Sequence, residues 1–244
     1  MAAISSERLL RAWEGTLGEQ ALRRGITLLA GYRAEDVGSV AEWSVRARDR
    51  SLYDLRDELF GAEAVAVATC PRCAERLEVP LDLGLLRPMA TDVPPASVEV
   101  DGYLATIRIP TTVDLLSISD LDDEESALAA LVTRCVESMR GPDGQESNPE
   151  DVPASVRSLL RLHLAELLDD VDVMLELSCA GCGCAFDAAF DIAPFLLREV
   201  ESWAARLFRD IHEIARAYGW DEATILGLSA PRRQAYLDLI EASR

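Results

Sequence analysis

Two C-x-x-C pairs, Cys70-Pro71-Arg72-Cys73 and Cys179-Ala180-Gly181-Cys182, constrain this chain more than any other feature of its 244 residues. The spacing lets two thiolates from one tight turn reach the same ion, at ~2.3 Å for zinc, and two such turns complete a tetrahedral site. The pairs lie far apart, well beyond the ~15–20 residues between them in a compact ribbon. A second regularity offsets that distance. Each cysteine of the second pair follows its counterpart by 109 residues, and at that one offset the flanks align without a gap. Leu77 meets Phe186, Glu78 meets Asp187, Leu81 meets Phe190, Asp82 meets Asp191 and Leu83 meets Ile192, while Thr69 meets Ser178 upstream. An apolar extended stretch precedes each pair (AEAVAVAT and VDVMLELS), so both segments read as strand, metal knuckle, strand. The match indicates an internal duplication. It predicts one shared site of Cys70, Cys73, Cys179 and Cys182, with two hairpins packed about a pseudo-two-fold axis.

Competing readings are a redox-active C-x-x-C and two separate, incomplete metal sites. A thioredoxin-like pair opens a helix in a βαβ unit, whereas Leu77, Val79, Leu81 and Leu83 alternate as a strand does. Cys184 is an alternative to Cys182 as ligand, but packing as a small apolar group is the favoured reading. Cys135, in the apolar run LAALVTRCV, reads as core. The expected metal is one structural zinc ion, because a catalytic zinc keeps an open position and usually recruits His. The chain has two histidines. His163 falls in an amphipathic helix. His212 begins His212-Glu213, but Arg216 stands where a zincin helix needs its second His. Both read as core or boundary residues. Zinc in such a site contributes on the order of 10 kcal/mol to folding.

Charge and hydropathy exclude several classes. Forty-three Asp and Glu against 24 basic residues give a formal net charge of −19, which argues against binding nucleic acid through its phosphates. All the basic residues are Arg; a GC-rich genome explains this best, with Arg forks at interfaces as the alternative. At 49% hydrophobic residues the chain is not disordered. No apolar run reaches the ~18–20 residues of a membrane span, and the first residues lack the plan of a secretory signal. A cytoplasmic protein is the expectation, and six cysteines in that setting are not a disulfide framework.

The periodicities predict an α+β, mainly helical fold. Duplicated strand–knuckle–strand units form a zinc-ribbon-like core, with surrounding helices and a long C-terminal helix. Residues 5–31 read as one or two helices, with Ser5 or Ser6 as cap and Leu9, Leu10, Trp13 and Leu17 on one face. Residues 47–60 form a helix with Leu52, Leu55, Leu59 and Phe60 inward, ended by Gly61. A Pro-containing linker lies near 84–96, then a hairpin turns at Asp101-Gly102. Thr111 or Thr112 opens a short helix, ESALAALVTRCVESM forms another behind the acidic run 120–125, and 140–153 reads as a mobile loop. A helix over 154–168 leads to the second knuckle. Leu196, Val200, Trp203, Leu207, Ile211 and Ile214 mark about seven turns of helix ending at Gly219. A short helix from Asp221 follows, then one capped by Ser229 with Pro231 in its first turn. The expected organisation is 1–96 with the first knuckle, 97–192 with the second, and a helical segment 193–244.

No glycine-rich phosphate loop, G-x-S-x-G elbow or Ser/His/Asp set is recognisable, so no enzyme is predicted. Candidate partner contacts on the C-terminal helices are Trp203, Arg206, Arg209, Trp220, Arg232, Arg233 and Tyr236, with core packing and solvated arginines as the plainer reading. The runner-up function is a zinc-ribbon nucleic-acid-binding adaptor, which would need a basic face.

The segments RLLRAWEGTLGEQALRRGITLLAG, SVRARDRSLYDLRDELFG and CPRCAERLEVPLD resemble the N-terminal half of T4-phage-type baseplate hub and baseplate assembly proteins of contractile tails. In the second half, YLATIRIPTTVDLL, LVTRCV, the stretch from LELSCAGCGCAFD to ARAYGW, and ILGLSAPRRQAYLDLI are similar to that family's pattern. The likeness covers nearly the whole chain apart from 84–96 and 138–153. It implies a role in building the baseplate of a phage tail or a related contractile injection particle, as hub subunit or assembly factor, with other baseplate, hub or tape-measure proteins as partners and incorporation into the particle as one outcome. The family's cysteines carry over onto Cys70, Cys73, Cys179 and Cys182. Two positions depart from it: Ala74 stands where glycine commonly follows the first knuckle, and Cys184 adds a thiol.

Overall fold

A computed structural model describes residues 6–89, 94–169, 171 and 173–243. The first half runs α1 (Ser6–Glu14), α2 (Ala21–Arg33), α3 (Val37–Ala41), α4 (Val45–Phe60), β1 (Glu63–Thr69), β2 (Arg76–Asp82) and α5 (Leu83–Leu86). Next come β3 (Ala96–Val100), β4 (Tyr103–Ile107), α6 (Thr112–Ile118), α7 (Glu124–Cys135), β5 (Val136–Arg140) and α8 (Ala154–Leu168). The chain ends with β6 (Val173–Ser178), β7 (Ala185–Phe190), α9 (Ile192–Tyr218), α10 (Glu222–Leu226) and α11 (Ala230–Ala242). The fold is mixed α/β and mainly helical, with small antiparallel sheets and a long C-terminal helix. The chain divides into two compact units: residues 38–192, and residues 1–37 with 193–244.

Residues 1–37 and 193–244 form a helical unit. Its core joins Leu10 of α1 to Ala204, Leu207, Ile211 and Ile214 of α9 and Ile225 of α10. α1 and α2 cross closely: a Cβ on Gly31 would lie 3.2 Å from the Cα of Ala12. α1 stops at Glu14, so Leu17, expected on its buried face, is 56% exposed. Ser5 lies outside the described residues, and Ser6 is the first residue of α1. Gly219, at φ 69°, ends α9 with its N–H on the Ala215 carbonyl. Ser229 occupies the position before α11, but its side chain makes no capping bond; Pro231 in the first turn, which needs no N–H partner, carries the start signal.

In the unit of residues 38–192, β3, β4 and β5 form an antiparallel sheet in that order, packed with α7 and α8. Val98, Val100, Ala105, Ile107 and Met139 meet Leu131, Val132, Cys135, Val156, Leu160 and Leu164. Asp101 and Gly102, at φ 48° and 80°, make the two-residue turn the sequence predicts. The helix expected through Met139 ends instead at Cys135, and Val136–Arg140 is a strand on β4. A free edge of β4 accepts the chain there, and apolar spacing alone does not separate five residues of strand from one more helical turn. The stretch 140–153 is tied down: Gly141 N–H reaches Gln145 at 2.8 Å, Ser147 N–H reaches Met139 at 3.0 Å, and Val152 is buried.

The remaining strands form two separate hairpins, β1–β2 and β6–β7. Each follows a helix, α4 of 16 residues before the first and α8 of 15 before the second. Their registers correspond at the offset of 109: Thr69 pairs with Arg76 and Ala66 with Val79, as Ser178 pairs with Ala185 and Leu175 with Ala188. Alternation sets the faces. Val65 and Val67 are exposed while Ala64, Ala66 and Ala68 turn inward. After β2, Asp82 caps α5 by accepting from Gly84 N–H at 2.9 Å, but Pro88 follows and α5 spans only four residues. Of the linker expected at 84–96, residues 90–93 lie outside the described set.

Candidate metal centre

The two connecting loops, residues 70–75 and 179–184, are built alike. Cys70 N–H donates to the Glu75 carbonyl and Ala74 N–H to the Cys70 carbonyl, each at 2.9 Å. Cys179 N–H donates to Cys184 and Gly183 N–H to Cys179, again at 2.9 Å. Both loops need a left-handed residue at the same place: Ala74 has φ 59° and Gly183 has φ 68°. The turn therefore dictates the glycine, and the first copy holds alanine against its preference.

These loops bring four sulfurs together. Cys70 Sγ lies 3.6 Å from Cys182 Sγ, and Cys73 Sγ lies 3.6 Å from Cys179 Sγ. Exchanging the two loops exchanges these contacts, as a pseudo-two-fold arrangement requires. All four sulfurs lie within 4.8 Å of one another. Metal–sulfur bonds of ~2.3 Å give a tetrahedron with edges of about 3.8 Å, so the spacing fits one four-thiolate ion. Cys70 and Cys179 are buried, Cys182 is half-buried and Cys73 is exposed. Glu75 crosses over so that its carboxylate lies 3.8 Å from Cys179 Sγ, above Gly181.

The four thiols perturb one another's protonation. Cys70 is lowered to about 6, mostly by a hydrogen bond from the Cys73 backbone, against the cost of burial. At Cys182 the Cys184 backbone pulls downward, but burial and the neighbouring thiols outweigh it and push the group up to about 12. Cys73 is also raised, although the Glu75 backbone acts to lower it. Four sulfurs so close lose protons as a set, and without a cation the first negative charge opposes the rest. A thiophilic divalent ion removes that opposition.

Cys184 lies outside the group. It is half-buried, and its sulfur contacts the Ala185 carbonyl at 3.5 Å. Cys135 is buried in the core, which pushes its thiol up to about 12. His163 Nδ1 lies 3.0 Å from Glu166 Oε2 on α8, and His212 is exposed on α9; neither joins the sulfurs.

The seven residues considered for partner contact have different fates. Arg206, Arg209 and Arg232 are exposed, and Trp203 is half-buried. Trp220 and Tyr236 pack edge to face at 4.9 Å, with Tyr218 stacked on Trp220 at 5.1 Å. Arg233 is only 4% exposed, and its guanidinium holds the Leu228 carbonyl at 2.6 Å and Ser6 Oγ at 3.0 Å. It braces the helical unit from inside.

A polar centre missed in the sequence surrounds Asp114, whose side chain is 4% exposed. Arg108 grips both oxygens, at 2.6 and 3.2 Å, and Arg134 Nε donates at 3.1 Å. Thr111 donates through N–H and hydroxyl, at 2.9 and 3.0 Å, completing a capping box on α6. Burial works to raise this carboxyl, but the Arg108 and Thr111 bonds overcome it and hold the group below the usual carboxylate range. The Thr-Thr-Val-Asp signal announced the helix start but not the arginines.

Fold and site together define a mixed α/β protein whose four clustered cysteines can hold a metal ion. No protein-family model, no curated protein and no solved structure matches the chain. Among the described residues no helix is long and apolar enough to cross a membrane.

Proposed function

We propose that this protein is a non-catalytic, zinc-stabilised hub subunit or assembly factor for the baseplate of a contractile tail or a related injection particle. The observation that carries the metal part is the convergence of Cys70, Cys73, Cys179 and Cys182 at tetrahedral spacing. Four protein thiolates close an ion's shell and leave no position for substrate or activated water, which suits a scaffold. Zinc is the ion of choice for such a set in a structural role, and the two like-built hairpins act as a duplicated ribbon-like core around it. The assembly part rests on the sequence likeness, supported by a strongly acidic chain suited to remaining unaggregated before assembly.

Two experiments test the halves separately. Metal analysis should return one zinc per chain, and the cobalt-substituted protein should show the absorption of four-thiolate coordination; a mixed-ligand spectrum refutes the closed site. Pull-down with baseplate, hub and tape-measure proteins encoded beside it should recover a stable complex. Intact particles from a deletion strain, together with no co-purification, refute the assembly role, and salt-sensitive DNA or RNA binding would assign an adaptor instead.

A further inference from the structure

The four sulfurs are not equivalent. In each loop the first cysteine is shielded, Cys70 at 1% and Cys179 at 2% exposure, while the second is more accessible, Cys73 exposed and Cys182 half-buried. Each 3.6 Å contact joins the shielded sulfur of one hairpin to the more accessible sulfur of the other. All four sulfurs lie within 4.8 Å of one another, and the two cross-hairpin pairs are in contact at 3.6 Å.

We propose that the cluster is also a redox clasp: under a peroxide oxidant the metal leaves and the thiols close across the hairpins, as Cys70–Cys182 and Cys73–Cys179, not within either C-x-x-C turn. The proposal rests on the metal reading only in that an ion leaves; the pairing follows from the sulfur positions. The more accessible sulfur of each pair, exposed Cys73 or half-buried Cys182, meets the oxidant. Its thiolate attacks hydrogen peroxide, breaks the O–O bond and becomes a sulfenic acid, with hydroxide released and protonated to water. The shielded thiolate opposite then attacks the sulfenic sulfur, forms the S–S bond and expels the second oxygen as hydroxide, again protonated to water. Each disulfide thus consumes one peroxide and two thiols, and yields two waters. A sulfur–sulfur bond of ~2.0 Å requires the two sides to close by about 1.6 Å, a short inward movement of two hairpin tips. The hairpins remain joined after the ion is lost, so oxidation exchanges one clip for another.

The test uses the full-length, metal-loaded chain and its Cys184→Ser variant, treated with two equivalents of hydrogen peroxide. Metal release is followed with a chromogenic chelator, and disulfides are mapped by mass spectrometry of non-reduced peptides. The expected result is one ion released per two disulfides, peptides joined 70–182 and 73–179 in both proteins, and reversal by dithiothreitol with metal uptake. Dominant 70–73 and 179–182 bonds, dominant bonds to Cys184, or sulfinic acids in place of disulfides overturn the clasp. Peptides joined 70–182 and 73–179 in a chain that takes up no ion when metal is supplied would overturn the metal reading and leave the cross-hairpin pairing standing. Release of an ion with within-turn bonds does the reverse.

Discussion

Ala74 and Gly183 offer a matched pair of substitutions whose effects should be opposite in sign. They occupy equivalent places in the two loops, both left-handed, at φ 59° and 68°. In Ala74→Gly the left-handed penalty of a Cβ, about 1–2 kcal/mol, is relieved. The unfolded chain gains freedom, which takes back about 0.4–1 kcal/mol. The net expectation is a stabilisation of about 0.5–1 kcal/mol. Gly183→Ala imposes the same strain and should destabilise by a similar amount. A Cβ at Gly183 would have no atom within 4 Å, so its cost is backbone strain and not a clash. At about 2–4 °C per kcal/mol for a chain of this size, thermal midpoints should move by about 1–4 °C in opposite directions. The double variant should lie near the parent, because the two strains are independent backbone terms. Urea titration at fixed metal excess, with metal release as the readout, reports on the hairpins themselves. Destabilisation by Ala74→Gly, or an unaffected midpoint in Gly183→Ala, would refute the claim that both loops share one conformation.

Other outcomes follow from the same fold. Removing the metal with a strong chelator should lower the melting temperature by at least about 10 °C, and zinc should restore it, as differential scanning calorimetry would report; an unchanged transition would mean the hairpins do not depend on the ion. Asp114→Asn should cost about 2–3 kcal/mol in urea unfolding, since Arg108 and Arg134 lose a buried charge partner, and a cost below about 0.5 kcal/mol would reduce the network to a surface feature. Because folding lowers this carboxyl's pKa, its contribution is complete above the ordinary value of about 4 and disappears as pH falls through the folded one. Parent and Asp114→Asn should therefore converge in stability only below about pH 4. Ala34→Gly, at the left-handed end of α2 with φ 58°, should stabilise by about 0.5–1 kcal/mol in the same assay.

What was legible in the chain, and what was not, divides along a physical line. The cysteine spacing and the offset of 109 revealed the knuckles because a metal turn fixes residue type and position together. Asp101-Gly102 and Thr111 were readable for the same reason, each answering a local backbone requirement. β5 was not, because Val136–Arg140 becomes a strand only through the neighbouring edge of β4, which no local pattern encodes. The arginines show the limit most clearly. In the sequence they looked like compositional bias or interface forks. In the fold, Arg46 holds the Leu167 carbonyl at 2.7 Å, Arg50 the Pro88 and Met89 carbonyls at 2.6 and 2.8 Å, Arg56 that of Glu63 at 2.9 Å, and Arg157 that of Val152 at 2.5 Å. Each guanidinium satisfies backbone oxygens where a helix or loop ends, a task for which its fork of donors is suited and a lysine's single ammonium is not. Their partners are carbonyls, which every residue carries, so no side-chain motif could mark them. Arg→Lys substitution at Arg46 or Arg56 should therefore destabilise despite conserving charge, whereas the same change at exposed Arg72 should not.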